Sequence, residues 1–151
     1  MQAIPVLNIR PLLTLRIQKK TIVHFSLGKT ALSFFNIIHA FFFLPFTIVL
    51  LIEGYDIVGV ICWHLAIIAL IYINNYLNIL LSNIDKLFVL FLGIIAILGG
   101  LQYYNLFDIT NYTVLFFDGL YAIKGFFLIP ILVLIGLYYV TFNYFKNKIK
   151  F

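Results

Sequence analysis

Three histidines, five carboxylates and a single cysteine are the side chains through which this 151-residue chain could do acid–base, nucleophilic or metal chemistry. Their spacing withholds it. A zinc site built on one helix sets ligands three to five residues apart, whereas His24, His39 and His64 are isolated from one another, the last two in different apolar runs. Each reads as a helix-contact residue. Cys62 stands alone in an apolar run, so there is neither a disulfide framework nor a multi-cysteine metal site. Gly28-Lys29-Thr30 matches the end of a phosphate-binding loop, G-x-x-x-x-G-K-S/T, but Val23 stands where the first glycine belongs, and an apolar run follows directly. Nucleotide binding there is excluded. Tyr55-Asp56 matches half of an intramembrane aspartyl protease signature, and Phe117-Asp118-Gly119 does not supply the other half. Asn111-Tyr112-Thr113 is a glycosylation sequon that we read as a chance occurrence. No catalytic residue, metal or cofactor is expected.

The polar side chains that stand out are amides. Asn74 and Asn78 are four residues apart and so share one helix face, with Asn75 beside them. Amides within apolar helices hydrogen-bond across to neighbouring helices, or line a polar passage. Either role suits this spacing.

The elements that carry these residues follow from composition. Hydrophobic residues make up 64% of the chain and charged residues 10%, with a mean hydropathy of +1.12, against roughly 25% charged residues in soluble domains. The excess apolar surface must face lipid. The fold expected is all-α, a polytopic transmembrane helix bundle of four spans. Residues 31–52 hold 22 uncharged positions, about 33 Å of helix against a hydrocarbon core of about 30 Å. A secretory signal has a shorter apolar region, of about 7–15 residues, so an uncleaved helix is favoured. Further spans are expected at about 57–81, 87–104 and 125–142, the third with Gly99-Gly100 and an Ala96-x-x-x-Gly100 contact surface, the fourth with Pro130. Residues 1–30 form a basic, amphipathic cytoplasmic segment ahead of a transmembrane domain over 31–151.

Residues 105–124, between the third and fourth spans, interleave Leu106, Phe107, Ile109 and Phe116 with Asp108, Thr110, Asn111 and Asp118. This semi-apolar outer segment is expected either to dip into or re-enter the bilayer or to form a hydrophobic external loop. With both termini cytoplasmic, nine of the ten Lys and Arg residues lie inside. Basic residues gathered beside apolar spans signal topology rather than nucleic-acid binding. The expected location is the inner (plasma) membrane, as a multi-pass protein.

The order of parts is a basic amphipathic segment, a helix hairpin, a short inner turn, a helix, a semi-apolar outer segment and a last helix with a basic tail. It resembles the later two-thirds of an ABC-2-type exporter permease. Such subunits carry a cytoplasmic loop of two leucines, a proline, a hydrophobe, basic or polar residues, a hydrophobic pair and then Gly-Lys. Leu12 to Lys29 follows that pattern closely, departing from it at Arg16, where the family usually has proline. Pro5-Val6-Leu7-Asn8-Ile9-Arg10-Pro11-Leu12-Leu13, Leu50-Leu51-Ile52-Glu53-Gly54-Tyr55 and Gly136-Leu137-Tyr138-Tyr139 resemble more narrowly an uncharacterised family of larger, ABC-2-like bacterial membrane proteins.

The resemblance implies a fragment lacking the first two spans, partnered by a separate ABC-type ATPase, by membrane lipid, and by a second permease copy or the missing N-terminal helices. Arg16, Lys19, Lys20, Thr21 and Lys29 would then contact the ATPase. The alternatives are a non-catalytic structural or scaffold membrane protein, and a lipid-modifying enzyme built on Glu53, Asp56, Asp108 and Asp118.

Overall fold

The structure is a computed structural model and describes residues 17–148. Among these residues it is all-α: α1 (Lys19–Ala31), α2 (Phe34–Phe42), α3 (Leu44–Ile52), α4 (Ile57–Asn83), α5 (Asp85–Tyr103), α6 (Ile109–Ala122) and α7 (Leu128–Lys148). Four stretches are long and apolar enough to cross a membrane: Phe34–Ile52, α4, α5 and α7.

Each boundary has a local cause. The apolar run that begins at Ala31 is divided, because Ala31 closes α1 and Ser33 turns to an extended backbone (φ −65°, ψ 147°). The Asn36 side chain holds that corner, donating to the carbonyls of Thr30 (3.0 Å) and Ala31 (3.3 Å), which the end of α1 leaves without helical partners. The first span therefore starts at Phe34, not Ala31. It is interrupted again at Phe43, because Pro45 has no N–H to continue the helical ladder and its ring crowds the carbonyl four residues back. Pro130, by contrast, lies in the first turn of α7, where backbone N–H groups have no helical partner in any case.

Helix α4 is the axis of the bundle, packing against α2, α3, α5, α6 and α7. Its 27 residues span about 40 Å, more than the hydrocarbon thickness. At its start, Asp56 accepts the Gly59 N–H on its carboxylate at 2.8 Å. At its end, Ser82 and Asn83 turn their side chains back onto the Ile79 carbonyl, and the Tyr144 hydroxyl of α7 donates to the Asn83 carbonyl at 2.9 Å. Val60, Ala66 and Ile79 along its length are fully buried.

The core lies at the end of the bundle where the lysines gather. There Ile22, Val23 and Leu27 of α1 close against Tyr76 and Ile79 of α4 and Phe145 of α7. At the opposite, acidic end, residues 105–124 hold α6, with Leu120 fully buried and α6 packed on α4. Asp108 starts α6 by accepting the Asn111 N–H, and Gln102 Oε1 accepts the Ile109 N–H at 2.6 Å. Helix α5 differs from the rest: it buries none of its residues, and Gly93, Gly99 and Gly100 have open space where a side chain would stand.

Candidate functional site

Two places gather the polar and basic side chains that the sequence singles out. The first is α1. Ile22, Val23, Ser26 and Leu27 are buried, and this i, i+1, i+4, i+5 set makes one face of a helix. That face is committed to the bundle. His24 adds a second tie, with Nδ1 2.5 Å from the Tyr138 hydroxyl and its ring stacked on Phe142 at 4.2 Å between centroids. The remaining surface carries Lys20, Thr21, Phe25 and Lys29, all exposed, while Lys19 is half-buried. Phe25 keeps 59% of its surface free. Beside it a cleft of about 170 Å³ opens between Ile17, Thr21, Ile22 and Phe25. Arg16 lies outside the described residues.

The second place is a groove of about 260 Å³ between α2 and α4, lined by Phe35, Asn36, His39, Ile71, Asn74, Asn75 and Asn78. Asn74 and Asn78 are exposed along it, and neither amide bonds another helix among the described residues. Asn75 is only 5% exposed, and both its amide atoms are buried without a hydrogen-bond partner. His39 places Nδ1 2.6 Å from the Phe35 carbonyl. A carbonyl can only accept, so Nδ1 carries a proton, which in the neutral tautomer leaves Nε2 as an acceptor. Asn36 was not singled out in the sequence and His39 was read only as a helix-contact residue, although their three-residue spacing puts them on one helix face. Helix α2 supplies them, α4 supplies the amides, and only the crossing of the two makes a site.

Elsewhere the chemistry-bearing residues serve the scaffold. Asp56 caps α4 and pairs with Lys124 at 3.3 Å. The Gly59 N–H, and then Lys124, hold its carboxyl below the usual carboxylate range. Asp108 caps α6. His64 Nδ1 lies 2.8 Å from the Thr47 hydroxyl, tying α4 to α3. Cys62 is buried and free. Among the described residues no three of His, Cys, Asp and Glu converge as metal ligands would.

Four membrane-length apolar stretches, three of them arranged around the fourth, α4, with a short basic helix folded against one end, define a polytopic helical protein of membrane type. A family model described as a family of unknown function (DUF5687) matches residues 1–151, and the chain belongs to that family. No curated protein and no solved structure matches it.

Proposed function

We propose that the chain is a membrane-spanning permease subunit, or part of one, of an ATP-driven exporter of the ABC-2 type, with both ends on the cytoplasmic side of the inner membrane. It carries out no chemistry itself. Helix α1 docks a separate ATPase, and hydrolysis belongs to that partner. The observation that carries the reading is the division of α1 into two faces. Its apolar face is spent on α4 and α7, so the exposed set of Lys20, Thr21, Phe25 and Lys29 is held at the bundle's basic end by packing rather than by lipid alone. A rigidly mounted helix can transmit movement from a partner into α4 and α7. An exposed phenylalanine beside an apolar cleft, flanked by lysines, suits insertion into a partner's groove. The lysines also hold this end at an anionic inner surface, worth about 1 kcal/mol each.

The test is affinity purification in mild detergent, with identification of bound proteins. An ATPase with a complete phosphate-binding loop should accompany the wild-type chain and be lost from a Lys19→Glu, Lys20→Glu double variant and from Phe25→Asp, the thermal midpoint being unchanged. Retention of the ATPase by both variants would defeat the docking role. Capture of no ATPase by the wild-type chain favours a scaffold without transport.

A further inference from the structure

The groove between α2 and α4 gathers amides without partners, and its chemistry restricts what could fill it. Asn74 and Asn78 expose their amides in a helix whose mean hydropathy is 2.2. In hydrocarbon an amide without a hydrogen-bond partner is strongly disfavoured. A polar partner would relieve that cost. Beneath lies Asn75, with neither amide atom satisfied; natural interiors leave few polar groups in that state. From α2, His39 contributes an acceptor nitrogen. The lining holds no carboxylate, lysine or arginine, so it offers no permanent charge to pair with a phosphate or an ammonium group. Amides both donate and accept, and so do hydroxyls. Phe35 and Ile71 add apolar surface against which the C–H face of a polyol can lie. The volume of about 260 Å³ equals roughly nine waters at about 30 Å³ each, too large for one bridging water and below the range typical of drug-sized ligands.

We infer that Asn74, Asn75, Asn78 and His39 form a binding site for a neutral, hydroxyl-rich group of about the size of one sugar ring. Its hydroxyls pair with the amides of α4 and with His39 Nε2, and Asn75 turns its side chain into the groove to reach them. By the 1.5 Å rise, Asn75 stands about 12 Å from the Asn83 end of α4 and about 27 Å from the Ile57 end. That is the depth at which a lipid head drawn in from the basic side, or a soluble sugar crossing from it, would lie. The site stands independently of the exporter reading, since it requires neither ATPase nor transport.

The experiment is native mass spectrometry of the purified full chain released from nanodiscs, with three probes: a monoglucosyl diacylglycerol, a phosphatidylglycerol and free methyl glucoside. The glucosyl lipid should remain bound, and Asn74→Leu with Asn78→Leu should reduce its retention at least tenfold. Asn75→Leu should also reduce retention while leaving or raising the thermal midpoint, because it removes an unsatisfied buried amide; His39→Phe, at the groove wall, is a second variant that keeps the fold. If methyl glucoside binds and the glucosyl lipid is not retained, the ligand is a soluble sugar and the chemistry stands. Equal retention of phosphatidylglycerol, retention unaffected by the substitutions, or binding of neither glucosyl probe overturns the site.

Discussion

The Lys124 ammonium stands 3.3 Å from the Asp56 carboxylate, joining the residue that opens α4 to the turn that follows α6. Two further contacts lie within a few residues of it. The Asp56 N–H donates to the Tyr121 hydroxyl at 3.2 Å, and a side chain at Gly59 would stand 3.0 Å from the Tyr121 ring and 3.2 Å from its carbonyl oxygen. Glycine at 59 is what lets α6 lie this close to α4.

Gly59→Ala should therefore loosen α6 without unfolding the bundle. A ring can tilt, but a backbone carbonyl in a helix cannot easily withdraw, and overpacking of this kind costs about 1–3 kcal/mol. Hydrogen exchange over 109–122 should accelerate while exchange in α4 near Ile79 stays slow. Unchanged exchange in α6 would show that the contact does not hold it.

The same junction should respond to acid. The Asp56 carboxyl is held low in the folded protein, first by the Gly59 N–H and then by Lys124. A depressed folded value stabilises above the unfolded pKa of about 3.9, and that contribution is lost as pH falls through the folded value. Protection of α6 amides, taken relative to the intrinsic exchange rate at each pH, should be flat from neutral pH to about 4 and fall below it. Lys124→Met should raise the Asp56 titration point less than disrupting the Gly59 N–H contact does, as read by carbon NMR of labelled aspartate.

Removing packing under α1 should be more costly than removing its charges. Leu27 is fully buried, so Leu27→Ala should cost about 2–4 kcal/mol, whereas Lys20→Ala should leave the thermal midpoint nearly unmoved. Val23→Asp should release α1 and expose it to protease. An uncut α1 in that variant would mean that the Ile22, Val23 and Leu27 face does not anchor the helix.

Tyr144→Phe removes the donor that α7 lends to the last carbonyl of α4. The expected loss is about 0.5–1.5 kcal/mol, appearing as faster exchange at 80–83. Loss confined to α7 would place the importance of Tyr144 in its ring packing instead.

In a Cys62→Ala background, single cysteines at positions 20 and 148 should label from one side of sealed vesicles, and one at 110 from the other. This follows from the segregation of nine lysines and arginines from the outer carboxylates. Labelling of 20 and 148 from opposite sides would contradict a four-span arrangement.

Particular residues show where legibility ended. Four apolar runs were plain, and so was Asn74 to Asn78 as one helix face. The start of the first span was not, because Ala31 has the same apolar character as the residues after it and only Asn36, bonding backward to Thr30 and Ala31, marks the corner. Pro45 was a visible signal for the break at Phe43. Residues 105–124 have too mixed a pattern to disclose a helix, since the cause of α6 is its fit on Gly59 and its caps at Asp108 and Gln102.

By itself the sequence determined that this is a four-span helical membrane-type chain with a basic segment ahead of it. Run length, hydropathy and charge placement are properties of one dimension, and the bilayer reads them one span at a time. Only the tertiary structure decided that α1 folds its apolar face onto α4 and α7, that α5 buries none of its residues, and that Asn36 and His39 of one helix meet the amides of another. The rotation of a helix about its own axis is set by all its neighbours together, and no single stretch of residues encodes it.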